Sequence, residues 1–263
     1  RITIFKYAHD KKVTDWLSKW CDIRVIWGGD ASVTEIQKSP MRAAAVDITF
    51  PGRQSMAVLD AKSVTETKDL DRLIRDFYND TYLTDQNACS SPKIIFWLGS
   101  REEAEKAQAR FWPELAAFLK GRYSVQPDMA VKKYEQAMYM AGMGYASQIL
   151  YGLAGDNSII RVQTDTREPA LWDMCMPGGF FIECIGESID CISELLTPAC
   201  QTISCYGTDI APDFGGFHVV DCGHTLDFSL IWEGHDLVRE MCRKAPEEYC
   251  LEHEGCRFYA RKQ

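Results

Sequence analysis

The sequence predicts an α/β protein, because short apolar runs typical of strands alternate with longer segments of helical periodicity. The clearest strand is the run Ile-Ile-Phe-Trp-Leu within residues 93–98, which ends at Gly99. The clearest helix covers residues 69–80, where Leu70, Leu73, Ile74 and Phe77 recur at the spacing of one helical face. A buried strand directly after an amphipathic helix is typical of this fold class.

The remaining elements follow from the same two periodicities. Val13, Trp16, Leu17 and Trp20 predict a first helix, and the glycines and prolines that follow apolar runs mark where strands end. We expect a helix or helix pair over 127–150, interrupted near residues 142 and 144, and a last helix within 230–243. The other predicted helices cover 11–20, 32–38, 101–120 and 188–196, and the other strands cover 23–27, 43–50, 55–60, 159–163, 179–185, 201–206 and 217–222.

Composition places the chain among soluble globular proteins. Its 263 residues are 46% apolar and 25% charged, and they can bury a sizeable core. The net charge of −9 argues against a nucleic-acid or anionic-membrane partner, and no apolar run reaches the length of a membrane span. The chain begins at Arg1 without a secretory signal, which favours a processed or excised chain.

The cysteine pattern indicates reduced thiols and no structural metal site. The eleven cysteines are odd in number, contain no CxxC pair and lack the spacing of a zinc framework. We therefore expect reduced cysteines in a cytosolic protein and no structural metal.

The loop of residues 84–92, Thr-Asp-Gln-Asn-Ala-Cys-Ser-Ser-Pro, holds the best candidate for chemistry. Cys89 lies there among small and polar residues, where a thiol can reach a substrate. A nucleophilic cysteine needs a base, a cation or backbone N–H groups beside it. A Cys–His dyad with His218, His224 or His235 and activation by backbone N–H groups both remain open.

Two glycine turns are the next candidates. Residues 27–33 run from a strand through Gly28 and Gly29 into a helix. This pattern is typical of a phosphate-binding loop, but a simple strand-to-helix turn has the same pattern. Asp30 and Ser32 could contact a cofactor or cap that helix, and the cap is the favoured interpretation. Residues 48–55 either line a site or form a tight turn between two strands.

Taken in order, four segments resemble the acyl-CoA reductase family, the fatty-acid reductases of bacterial bioluminescence operons and their relatives, within the aldehyde dehydrogenase superfamily. Residues 21–30 look like its strand and cofactor loop, 46–55 like its next strand and turn, and 85–92 like its nucleophile loop. Leu-Asp-Phe at 226–228 and Ile-Trp-Glu-Gly-His-Asp-Leu at 231–237 resemble its closing motif.

The resemblance implies an aldehyde-dehydrogenase-like fold and a mechanism. The thiolate of Cys89 attacks a fatty acyl thioester, an acyl-CoA or an acyl-protein, and NADPH or NADH reduces the acyl-enzyme to an aldehyde. The oxyanion donors of the superfamily are the backbone N–H of the cysteine and an asparagine side chain. The resemblance also implies a homo-oligomer and an acyl-protein synthetase as a possible partner. The implied cofactor-binding residues are Gly28, Gly29, Asp30, Ser32 and Thr49.

The chain departs from the family pattern in two ways. Thr49, with Asp47 nearby, stands where aldehyde-oxidising relatives carry a glutamate base, which suits a reductase because no group activates water to hydrolyse the acyl-enzyme. Family members also have a longer N-terminal region that supplies the first strands of the cofactor domain. We therefore expect the C-terminal part of a reductase, with the end of the cofactor-binding domain over 1–65 and the catalytic domain over 66–263.

Two alternatives belong to other functional classes. A chain without the first part of the cofactor domain could be a non-catalytic module that binds a partner. A cysteine acyltransferase or thioesterase would form the same acyl-enzyme without a nicotinamide cofactor.

Overall fold

The computed structural model describes residues 2–152, 157–210, 218–232, 235–242, 250–253 and 256–259. The chain forms two compact units, Arg1–Gly52 with Phe228–Gln263, and Arg53–Asp227. The division between Gly52 and Arg53 is earlier than the break after residue 65 that the sequence predicted. The strand that follows Arg53 belongs to the larger unit because its residues Met56 to Leu59 are fully buried there.

The smaller unit begins with the predicted alternation of helix and strand. Strands β1 and β2 pair in parallel, with Ile23 opposite Val46 and Trp27 opposite Phe50. Its first elements are α1 (Lys11–Trp20), β1 (Ile23–Trp27), α2 (Asp30–Gln37) and β2 (Val46–Phe50).

The last helix predicted within residues 230–243 is confirmed. It is α7 (Leu237–Met241), which begins where the Asp236 side chain accepts from Arg239 N. Glu233 and Gly234 of the quoted closing motif lie outside the described residues. The other elements are the antiparallel pairs β10 (Ile231–Trp232) with β11 (His235–Asp236), and β12 (Cys250–His253) with β13 (Cys256–Tyr259).

The larger unit is built on one seven-stranded sheet of order β5-β6-β7-β4-β3-β8-β9. All neighbouring strands run parallel except β5, which is antiparallel to β6 at one edge. The strands are β3 (Gln54–Asp60), β4 (Pro92–Leu98), β5 (Gln148–Tyr151), β6 (Ile160–Gln163), β7 (Phe180–Gly186), β8 (Cys200–Tyr206) and β9 (His218–Asp221). The α-helices are α3 (Ala61–Glu66), α4 (Leu70–Thr81), α5 (Arg101–Leu119) and α6 (Pro127–Gly142), and 3-10 helices cover Tyr82–Thr84, Pro169–Met174 and Ile189–Leu195.

Apolar side chains cover both faces of this sheet, as expected for parallel strands. On one face Leu73, Ile74 and Phe77 of α4 pack with α3 and α5, which confirms the apolar stripe predicted for that helix. On the other face the strands pack against α6 and the 3-10 helices Pro169–Met174 and Ile189–Leu195. The central strand β4 is therefore an almost continuous apolar run rather than an alternating one.

Two predicted helices are wrong in part. The helix from Pro127 ends at Gly142, and residues 148–151 form the edge strand β5, because Gly144 has φ +80 and turns the chain back onto β6. The predicted helix at 188–196 is a 3-10 helix instead. Helix α3, which directly follows β3, was not predicted at all. No helix in the described part of the chain has the length and apolar character needed to cross a membrane.

Candidate active site

The loop that carries Cys89 joins α4 to β4. A 3-10 turn ends in Asp85 and Gln86, two consecutive non-glycine residues in left-handed conformation at φ 52 and φ 57. Backbone bonds hold this reversal, since Gln86 N donates to Thr81 O at 2.7 Å and Gly178 N donates to Asp85 O at 2.9 Å. The loop is thus tied to its own helix and to the turn before β7.

The side chain of Gln86 is the main anchor of the loop. It is fully buried, and its Nε2 donates to Pro92 O at 2.8 Å and to Phe180 O at 3.1 Å. Its Oε1 accepts from Gly179 N at 2.9 Å and from Phe180 N at 3.2 Å. One amide therefore joins the loop to the first residues of both β4 and β7.

Cys89 lies in a tight turn before the first residue of β4. Ser91 N donates to Ala88 O at 3.0 Å, so Cys89 and Ser90 are the two central residues of the turn. Ser90 and Ser91 are buried, whereas Cys89 is partly exposed and is a thiol. The turn lies at the amino end of β4, the middle strand of the sheet.

A second polar contact holds this turn from the neighbouring strand. Ser55 Oγ on β3 donates to Cys89 O at 2.7 Å, and it accepts from Thr202 N of β8 at 3.2 Å. Thr84 Oγ1 and Ser91 Oγ are 3.2 Å apart across the loop. The backbone around the candidate nucleophile is therefore fixed by side chains from inside the sheet.

Four cysteines, Cys184, Cys200, Cys205 and Cys222, are buried, whereas Cys89 is partly exposed. Desolvation raises the pKa of Cys175, Cys184 and Cys205 to about 12 and that of Cys200 to about 11, and it also raises the pKa of Cys222. Such thiols stay protonated at neutral pH and act as small apolar side chains. The nine cysteines whose side chains are described are all thiols, as the sequence predicted.

The candidate histidine partners have contacts of their own. His224 Nδ1 lies 2.7 Å from Asp227 Oδ2, and this hydrogen bond raises the pKa of His224. His235, in the smaller unit, lies 2.9 Å from Glu240 Oε2, and His218 begins β9 opposite Thr202. None of these contacts involves Cys89, so the Cys–His dyad stays a prediction.

The predicted cofactor residues lie together in the smaller unit. Gly28 directly follows β1, and its N–H donates a hydrogen bond to Phe50 O at 3.2 Å. A Cβ added at Gly29 would meet no atom within 4 Å. Ser32 lies in the first turn of α2, and Thr49 lies on β2 opposite Ile26. The backbone at Gly29 is therefore accessible to a ligand.

The capping role predicted for Asp30 and Ser32 is wrong. Gly29 is the N-cap of α2 and makes no side-chain cap. Asp30 follows it inside the first turn, and its Oδ1 accepts from Gly52 N at 3.0 Å. A carboxylate at this position still favours the helix dipole, but its hydrogen bond holds the turn after β2.

Thr49 and Asp47, which the resemblance aligns with the glutamate base of aldehyde-oxidising relatives, both lie on β2. Asp47 forms a two-point ion pair with Arg24, with Nε to Oδ1 and Nη2 to Oδ2 both at 2.7 Å. Thr49 carries a neutral hydroxyl. The carboxylate of Asp47 is therefore held by the guanidinium of Arg24.

Several residues that support the loop were missed at the sequence level. Gly179 has φ +79, and a Cβ there would lie 1.9 Å from Ser158 O, so only glycine fits. Lys133 of α6 is buried and donates to Gly178 O at 2.5 Å and to Asn157 O. The pair Gly178-Gly179 directly before an apolar run was the available signal, whereas Lys133 gave none. No group of three or more His, Cys, Asp or Glu side chains suited to a metal ion occurs in the described part of the chain.

Solved structures show which class of protein has this fold. Lactaldehyde dehydrogenase from Escherichia coli matches with a TM-score of 0.54 at 9% identity, over 84% of this chain and 50% of its own. Aldehyde dehydrogenase 21 from Physcomitrella patens matches with a TM-score of 0.54 at 10% identity, over 81% of this chain and 47% of its own. A NAD-dependent benzaldehyde dehydrogenase from Corynebacterium glutamicum matches with a TM-score of 0.50 at 11% identity, over 80% of this chain and 49% of its own. The fold is that of the aldehyde dehydrogenases, and the chain spans about half the length of these proteins.

A family model assigns the chain more specifically than the fold does. The family model described as Acyl-CoA reductase (LuxC) matches residues 2–196, and the chain belongs to this family. No curated protein sequence matches the chain. The family resemblance is thereby confirmed, and the matched residues include the first three of its four segments, whereas the closing motif at 226–237 lies beyond them and stays a prediction.

Proposed function

We propose that this chain carries the acyl-transfer centre of an NAD(P)H-dependent fatty acyl-CoA reductase, with Cys89 as the nucleophile. Membership of the LuxC family supports the reaction class. The observation that carries the assignment of Cys89 is its loop, in which a partly exposed thiol sits in a turn fixed at the amino end of the central strand. A rigid backbone at the nucleophile is what preorganised attack requires.

The first step is an exchange of thioesters. The Cys89 thiolate attacks the acyl carbonyl carbon, a new C–S bond forms, and coenzyme A leaves as its thiolate when the tetrahedral intermediate collapses. The developing oxyanion needs donors, and the resemblance assigns one of them to the backbone N–H of Cys89. The acyl-enzyme is itself a thioester and keeps the acyl group at the same oxidation level.

The second step needs a reductant. When bound, NADPH or NADH would supply the hydride that reduces the acyl thioester to the aldehyde, and Cys89 would leave as its thiolate. Accessible backbone at Gly29 fits such a cofactor, and the residues that would hold it are Gly28, Gly29, Asp30, Ser32 and Thr49. The same proposal includes a cytosolic homo-oligomer and an acyl-CoA or an acyl-protein as donor, the latter delivered by an acyl-protein synthetase.

The chain's own residues favour reduction over hydrolysis. Hydrolysis needs a base that takes a proton from water, and Asp47 is held instead by Arg24. Thr49, which the resemblance places at the position of that base, carries a neutral hydroxyl. The reductase is therefore favoured over the thioesterase.

Transfer of deuterium tests the proposal. The chain is incubated with palmitoyl-CoA and NADPH that carries deuterium at the transferable position, and the lipid products are analysed by mass spectrometry. The reductase predicts palmitaldehyde with one deuterium, and NADH in a parallel arm reports cofactor preference. Palmitate or a transferred acyl group without deuterium would instead indicate a thioesterase or an acyltransferase. Absence of any product and any enzyme adduct would favour the partner-binding module.

A further inference from the structure

The sheet has an irregularity directly beside the nucleophile turn. At Ser55 the ladder of β3 changes register on both sides, against β4 between Ser55 and Met56, and against β8 between Gln54 and Met56. Such an irregularity removes regular ladder partners, and buried backbone groups must then be satisfied in another way. Ser55 itself is fully buried.

The hydroxyl of Ser55 makes two backbone hydrogen bonds at this irregularity. It accepts from Thr202 N at 3.2 Å and donates to Cys89 O at 2.7 Å. The direction is fixed, because a backbone N–H only donates and a carbonyl oxygen only accepts. A hydroxyl polarised by a donor on one side is a stronger donor on the other.

This bond fixes the peptide plane between Cys89 and Ser90. The turn bond from Ser91 N to Ala88 O closes the turn around the same two residues. Gln86 holds the preceding backbone, and Ser55 contacts the nucleophile residue itself from the sheet. Alanine at position 55 would remove both of these hydrogen bonds and release this peptide plane.

We propose that Ser55 is a positioning residue for the nucleophile, which sets the backbone of Cys89 through its carbonyl oxygen. The proposal rests on the function proposed for Cys89. Ser55 does not touch the reacting atoms, and its effect is on where the thiol is held.

The test compares Ser55→Ala with a matched change on a neighbouring strand. Ser204 is also fully buried, but its hydroxyl donates to Asp80 Oδ2 at 2.9 Å, away from the nucleophile turn. Ser204→Ala therefore removes a buried hydroxyl bond of similar length, and Ser55→Thr keeps the hydroxyl. Each variant is treated with palmitoyl-CoA, the rate of Cys89 acylation is followed by intact mass, and stability is measured by urea denaturation.

We expect Ser55→Ala to slow acylation by about 10- to 100-fold, because small misplacements of a reacting group have effects of this size. Ser204→Ala should stay within about threefold of the wild type at a comparable loss of stability, and Ser55→Thr should restore most of the rate. Equal acylation rates for Ser55→Ala and Ser204→Ala would overturn the proposal.

A second measurement separates this proposal from the proposed function. If palmitoyl-CoA does not acylate Cys89 in the wild type, the proposed function of Cys89 is refuted. The positioning role of Ser55 is then tested by the rate at which iodoacetamide alkylates Cys89. A rate that changes in Ser55→Ala but not in Ser204→Ala supports positioning by Ser55. An unchanged rate in both variants overturns it.

Discussion

Replacing Gln86 by glutamate preserves the shape of the side chain and removes its two hydrogen-bond donors. The remaining oxygen can still accept from Gly179 N and Phe180 N. The carbonyl oxygens of Pro92 and Phe180, which accept at 2.8 and 3.1 Å, lose their donor and face a carboxylate. The substitution therefore isolates what the amide nitrogen of Gln86 does for the loop.

The size of the effect follows from burial. A buried polar group that loses its partner costs about 1–3 kcal/mol, so two carbonyls give about 2–6 kcal/mol of lost unfolding free energy. Burial beside carbonyl oxygens also raises the pKa of the introduced carboxyl, because both disfavour its charge. Since it then binds a proton more tightly in the folded chain, the variant is most stable below about pH 4.3 and loses stability as pH rises through the folded pKa.

Urea denaturation at pH 5 and pH 8 measures this, with the wild type at each pH as reference. The matched control is Gln108→Glu, since Gln108 is also buried and accepts from Gln163 Nε2 at 2.9 Å. Its own amide nitrogen has no hydrogen-bond partner among the described residues, so the control loses no donor bond. The reasoning about Gln86 is refuted if both variants lose the same free energy, or if the loss in Gln86→Glu does not grow between pH 5 and pH 8.

Two further predictions concern the core and the thiols. Glu183 accepts from Trp97 Nε1 at 2.7 Å, Trp112 Nε1 at 2.9 Å and Arg161 Nε at 2.8 Å, so Glu183→Gln should cost about 3–5 kcal/mol in urea denaturation by leaving a buried charge unpaired. A loss below about 1 kcal/mol would contradict this account of the pair. Iodoacetamide on the native chain at pH 8 should modify Cys89 well before the cysteines whose pKa burial raises, and equal rates by peptide mass spectrometry would contradict it. Those slow cysteines are Cys175, Cys184, Cys200, Cys205 and Cys222.

Local periodicity was enough to predict most elements of this fold. The stripe of Leu73, Ile74 and Phe77 gave α4, and the apolar run after Pro92 gave β4, because each pattern is contained in one segment. The sequence predicts a helix through residue 150, where the structure has β5, because a short apolar run carries no distinguishing period. The strand conformation of β5 depends on pairing with β6, which is a tertiary effect.

For the candidate site, the sequence indicated Cys89 and the glycine turn at 28–29 but not the contacts that hold the Cys89 loop. Cys89 stood out because its neighbours are small and polar, and the ordered motifs gave its family. The contacts of Gln86 with Phe180 and of Ser55 with Thr202 join residues far apart in the chain. They depend on the order of strands in the sheet, which periodicity within one segment does not contain.

The central claim is that Cys89 carries the acyl group, and intact mass tests it most directly. Wild type and Cys89→Ala are incubated with palmitoyl-CoA, and NADPH is then added. The account predicts one palmitoyl adduct on the wild type only, and its discharge as palmitaldehyde. An adduct of equal yield on Cys89→Ala, or none on the wild type, would contradict it.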